Sequence, residues 1–175
     1  MPVPWPGIVQ GAPDTETERI MNNAHRMLFL VSLLLSALLT AGCPKEPTRV
    51  NMVLNAGADL NPDQNGQALS VVVRVYQLKD KGRLETADYN AVLKSEKETL
   101  SDDILERQER IIQPGTQEML EISANPLARY IGIVALFRNP AGDTWRKIVP
   151  VANAKTQKIN LALREQNLEV ATTIK

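Results

Sequence analysis

The chain has 175 residues, with 20 basic and 20 acidic side chains, 43% hydrophobic and 4% aromatic residues. The balanced charge offers none of the concentrated basic surface that nucleic acid requires. One cysteine excludes a disulfide within the chain, and one histidine leaves little material for nucleophile triads or for the usual zinc sites.

Residues 1–20 are proline-rich, acidic in their second half and without periodicity. They are expected to be a misannotated extension, with translation beginning at Met21; a genuine extended leader is the alternative. From Met27 to Leu39 runs an uncharged stretch of thirteen residues, MLFLVSLLLSALL. A bilayer core needs about 20 apolar residues, so this run is too short to span one. It has the length of the apolar region of a secretory signal, and Arg26 with His25 supplies the positive flank. Thr40, Ala41 and Gly42 then lead into Cys43. This resembles the lipobox of bacterial lipoproteins, although Thr40 stands where a leucine is usual and Leu39 lies one step further back. The competing reading is a short buried helix with a structural cysteine. The resemblance implies a lipoprotein signal peptide over 21–42, cleavage between Gly42 and Cys43, and acylation of Cys43. Pro44 stands where aspartate typically retains lipoproteins in the inner membrane, which favours the outer membrane.

Cleavage there removes the histidine, and residues 43–175 carry 18 basic and 17 acidic side chains. Residues 43–48 read as a lipidated tether and 49–175 as one folded domain. Catalysis would rest on carboxylates alone. Asp59 and Asp63 fall in a loop, and adjacent Asp102 and Asp103 do not face one another on a helix. No enzyme activity, cofactor or metal is expected. The stretch DLNPDQNG has acidic spacing faintly like a calcium loop, but it lacks the ligand order and terminal glutamate.

Along the domain, Val50, Met52, Leu54 and Ala56 alternate with Asn51, Val53 and Asn55, which predicts a half-buried strand. Gly57, Ala58, Asp59, Leu60, Asn61, Pro62, Asp63, Gln64, Asn65, Gly66 and Gln67 form a long polar turn. Residues 68–78 are rich in β-branched side chains and predict a strand with Leu69, Val71, Val73 and Val75 on one face. Residues 79–106 read as two short helices inserted between strands, with Thr86 as one cap and Ser101 as another. Strands follow over 106–113 and 116–123, the second pointing Leu120 and Ile122 inward, with Pro114–Gly115 turning between them. Residues 128–139 are the most continuously apolar and predict a central strand, where Gly132 marks a bulge or close packing. Strands over 144–151, 158–163 and 167–174 complete the set, and Trp145 reads as a core or edge residue. Seven or eight strands with a small helical insertion argue an all-β sandwich.

In this order the lipobox cysteine, LNPDQNGQALSVVVRVYQLKD, ADYNAVL, QPG, YIGIVALFRN and WRKIVPV resemble the type VI secretion lipoprotein family, TssJ. The resemblance implies a transthyretin-like β-sandwich anchored in the outer membrane and facing the periplasm. It implies binding to the periplasmic domain of TssM and, through TssM, a complex with TssL that spans the envelope. It also implies that the loop between the first two strands, Gly57 to Gln67, is the partner contact; the plain alternative is a solvated hairpin connection. Outside the family, a generic lipoprotein holding a small ligand or glycan remains the second reading.

Overall fold

The computed structural model describes residues 46–153 and 156–174, all within the unit Glu46–Lys175. Gly42 and Cys43, with the signal and the first half of the tether, lie outside the described residues. Eight strands form two four-stranded sheets. Strands β1 (Arg49–Ala56), β4 (Gln117–Ser123), β7 (Thr156–Arg164) and β8 (Asn167–Ile174) make the first, in the order β4-β1-β7-β8. Strands β2 (Val71–Leu78), β3 (Ile104–Ile112), β5 (Tyr130–Leu136) and β6 (Arg146–Pro150) make the second, in the order β3-β2-β5-β6.

The alternation read from the sequence places Val50, Met52 and Leu54 of β1 in the core, with Leu120 and Ile122 of β4 and Ile159, Leu161 and Leu163 of β7. They face Val71, Val73 and Val75 of β2 and Ile131 and Ile133 of β5. β5 pairs on both edges, with β2 and β6, as its continuous apolar sequence demands.

The two sheets differ on their outer faces. Helices α1 (Gly82–Thr86) and α2 (Tyr89–Leu100) cover the second sheet and bury Leu84, Val92 and Leu100. Gly132 lies under this cover. A Cβ there would meet Leu84 Cδ2 at 2.5 Å and Leu78 Cδ1 at 2.9 Å, so close packing rather than a bulge explains the glycine. Trp145 is buried on the same side, edge-on to Tyr89 at 5.2 Å, with the Arg146 guanidinium 4.8 Å above its ring.

Local details differ from the sequence reading. The second strand begins at Val71, because Leu69 instead donates its N–H to the Leu60 carbonyl at 2.9 Å. Asp88, not Thr86, caps α2, accepting from the Asn90 N–H at 2.8 Å; the Thr86 hydroxyl bonds back to the Gly82 carbonyl. Ser101 ends α2 rather than starting a helix. It sits at φ 48°, and the chain passes through one 3₁₀ turn, Ser101–Asp103, into β3. Tyr76, on the face of β2 opposite Val71, Val73 and Val75, is fully buried beneath α2, because the helices seal that face.

Candidate functional site

The segment singled out by sequence, Gly57 to Gln67, does not join a hairpin. β1 and β2 belong to different sheets, so the connection crosses the end of the sandwich. Its base is tied to both neighbouring turns. The Gly57 N–H donates to the Leu163 carbonyl at 2.8 Å, and the Gly57 carbonyl accepts from Gly115 at 3.0 Å and from Leu60 at 3.3 Å. Leu60 is fully buried and plugs this end of the core.

Asn61 is the fixing point. It is 3% exposed and adopts φ 47° immediately before Pro62. Asparagine tolerates that left-handed region better than most residues. Its N–H donates to the Glu165 carbonyl at 2.6 Å, its Nδ2 to the Ser70 carbonyl at 2.9 Å, and its Oδ1 accepts from the Arg138 N–H at 2.8 Å. One residue, through its backbone N–H and its side-chain amide, thus joins the start of β2, the segment after β5 and the turn between β7 and β8.

Beyond Asn61 the tip organises itself. The Asp63 N–H donates to the Gln67 carbonyl at 2.9 Å, and the Gly66 N–H to the Asp63 carbonyl at 3.1 Å. Asp63 Oδ1 accepts from both Asn65 and Gln67 N–H groups at 2.8 Å. The Gln67 N–H, and then that of Asn65, hold the Asp63 carboxyl below its ordinary value of 3.8. Gly66 turns the chain at φ 80°, where a side chain would be strained. Gln64, Asn65, Gly66 and Gln67 are exposed around this closed turn.

Ala58 and Asp59 are exposed on the other side of the loop. There an open hollow of about 500 Å³ is lined by Asn55 to Asp59, Ala162 and Arg164. Asp102 is exposed and Asp103 is engaged by Arg83 at 3.3 Å, far along the chain from the loop carboxylates. Among the described residues no group of three or more His, Cys, Asp or Glu is placed to hold a metal ion. No described helix is long and apolar enough to cross a membrane.

Sequence reasoning located the loop and missed what braces it. The buried role of Asn61 depends on Glu165, Arg138 and Ser70, which lie 9 to 104 positions away. The one local signal was an asparagine directly before a proline, a place where the chain resists the helical region. A second unforeseen cluster sits beneath α2. Glu96 accepts from Arg74 at 2.9 Å, from Arg107 at 2.8 Å and from the Tyr76 hydroxyl at 2.7 Å, while Glu109 accepts from Arg74 at 3.0 Å. Burial, together with the Glu96 carboxylate, pushes the Tyr76 hydroxyl far above its ordinary pKa.

Comparison with known proteins follows the same lines. A family model described as type VI secretion lipoprotein, VasD, EvfM, TssJ matches residues 48–166. The T6SS lipoprotein TssJ1 from Pseudomonas aeruginosa is similar over 74% of this chain and 98% of that one, at 31% identity and a TM-score of 0.69. A chain of a type VI membrane complex is similar over 72% and 99%, at 26% identity and 0.67. A chain in the structure described as the TssM C-terminal domain from EAEC is similar over 70% and 97%, at 25% identity and 0.61. Among curated proteins there is no significant match. The chain belongs to the type VI secretion lipoprotein family, the family of TssJ.

Proposed function

We propose that the protein is a structural lipoprotein of the type VI secretion membrane complex, acylated at Cys43 in the outer membrane and facing the periplasm. In this reading the signal is cut between Gly42 and Cys43, and residues 43–48 are the tether. The loop Gly57–Gln67 binds the periplasmic domain of TssM and, through TssM, connects to TssL. The body has no catalytic part in this work.

The observation that carries the reading is the loop's preorganisation. Asn61 and Asp63 fix the tip before any partner arrives, so little ordering cost is left for binding. Two further facts support it. A chain in a structure described as a TssM domain shares this fold at 25% identity. The loop also leaves β1 at the end opposite the tether, eight residues along the strand. At about 3.3 Å per residue that separation is roughly 25 Å. Acyl chains each bury many CH₂ groups at about 0.8 kcal/mol apiece, and more than one chain makes anchoring stable.

The test is a titration of the protein, intact and with the exposed loop residues Ala58, Asp59, Gln64, Asn65 and Gln67 shuffled among themselves, against the TssM periplasmic domain. The shuffled chain is expected to keep its far-ultraviolet spectrum and lose binding. Equal affinity for both forms would refute the loop assignment.

A further inference from the structure

At the end where the chain enters β1, the segment between β4 and β5 presents a rigid apolar tip. The Ala128 N–H donates to the Asn125 carbonyl at 2.9 Å, and the Leu127 N–H to Asn125 Oδ1 at 3.0 Å. These bonds close a four-residue turn with asparagine first and proline second, the residues such a turn favours. The buried Gln77 holds this turn against the body. Its Oε1 accepts from the Asn125 N–H at 2.6 Å, and its Nε2 donates to the Ser123 carbonyl at 3.2 Å and to Glu106 at 2.9 Å. Leu127, at the tip, is 66% exposed and follows the exposed Pro126.

A lone exposed leucine is ordinary on a protein surface. This one is distinguished by how firmly it is held and by where it stands. The Ala124 N–H, just before the turn, donates to the carbonyl of Thr48, the last residue before β1, at 2.8 Å. The five residues from Pro44 to Thr48 reach about 15 Å at most when extended. Any lipid on Cys43 therefore holds this end of the body, and no other, against the membrane. Exposed Arg49, Lys79 and Arg129 belong to the same end, and none of the three forms an ion pair among the described residues. Two acids there, Glu85 and Asp103, are engaged by Lys81 and Arg83, and Asp80 is engaged in capping the Gly82 N–H. Three further exposed acids stand at this end: Glu46 beside the tether, Asp102 next to Asp103, and Glu106, which accepts from Gln77 and from Asn125 Nδ2 at 3.2 Å.

We infer that the Asn125–Ala128 turn is a second membrane contact. Leu127 enters the boundary between headgroups and acyl chains in the leaflet that holds the Cys43 lipid, and Arg49, Lys79 and Arg129 meet the lipid phosphates. This inference rests on the proposed acylation of Cys43. The contact turns a flexible mooring into an oriented one, with the loop Gly57–Gln67 aimed away from the bilayer.

Because acylation consumes the chain's one thiol, Leu127→Cys carries a single site for an environment-sensitive fluorophore. Met119→Cys, at a position 82% exposed in the middle of β4, is the control. The native lipidated chains are placed in vesicles of phosphatidylethanolamine and phosphatidylglycerol, and flotation and mass analysis of Cys43 are recorded in the same samples. The expected result is a several-fold stronger quenching of the probe at 127 than at 119 by lipid-borne quenchers. In the unlabelled chain, amide exchange over 124–129 is expected to slow on vesicles relative to detergent-free solution. Acylated protein that floats, with equal quenching at both positions and unchanged exchange, overturns this inference and leaves the anchor standing. An unmodified Cys43 with no flotation overturns both.

Discussion

Asn61 answers three backbone groups with its own N–H and amide while holding a backbone angle that few residues accept. Asn61→Ala leaves the Ser70 carbonyl and the Arg138 N–H without partners and keeps the unfavourable φ. It should lower stability by about 2–4 kcal/mol, measured as a shift in urea midpoint at unchanged slope. Asp63 acts further out, on the tip alone. Asp63→Asn keeps an acceptor oxygen for the Asn65 and Gln67 N–H groups, whereas Asp63→Ala removes it. The alanine variant is expected to weaken TssM binding with little change in the thermal midpoint, and the asparagine variant to retain most of the affinity. Acid should act in the same way. The folded Asp63 carboxyl titrates below its unfolded value of 3.8. The order it provides is therefore complete above about pH 4 and is lost as pH falls through the lowered value. Amide exchange at Asn65 and Gln67, followed from pH 6 to pH 3, reads this out; rates following only the intrinsic pH dependence would contradict it.

At the scale of elements, the helical insertion is part of the core rather than an appendage on it. Glu96 gathers Arg74, Arg107 and Tyr76 between α2 and the second sheet, and Leu84 and Val92 close over the strands. Glu96→Ala removes the acceptor of the Tyr76 hydroxyl and leaves Arg74 and Arg107 to share the carboxylate of Glu109 alone. It should cost about 2 kcal/mol and loosen α2 before the sheets, seen as faster exchange over 89–100. Gly132→Val forces a side chain into Leu84 and Leu78, with an expected loss of about 1–3 kcal/mol. Strand periodicity made most of this architecture legible: Ile159, Leu161 and Leu163 could be assigned to one face from sequence alone, and they are buried together. The continuous apolar run of β5 announced a central strand without saying what covered its outer face. The helix ends were misread for a local reason. Thr86, Asp88 and Ser101 are all capable caps, and only tertiary packing decides that Asp88 starts α2 and Ser101 stops it. The loop Gly57–Gln67 was visible as a polar break, but it is braced by backbone groups of Ser70, Arg138 and Glu165, the last two far along the chain, which no local pattern encodes.

Across the whole molecule, connectivity sets which end does what. Tether residues enter β1 at Arg49, and the loop leaves it after Ala56. The turns 113–116 and 165–166 and the segment after β5 gather at the loop end, while the turn carrying Leu127 sits at the other. Cys43→Ser is expected to release a folded protein from the outer-membrane fraction, measured by fractionation and circular dichroism. A variant still recovered in that fraction would contradict the anchor. β1 is an inner strand, antiparallel to β4 on one side and parallel to β7 on the other. With lipid at one end of this strand and a partner at the other, tension between two membranes would run straight down a single covalent backbone. The flanking ladders would lie across the line of pull and would not have to slide or unzip. The sandwich around β1 would then serve as a sleeve on a cable, keeping it straight while covalent bonds take the strain.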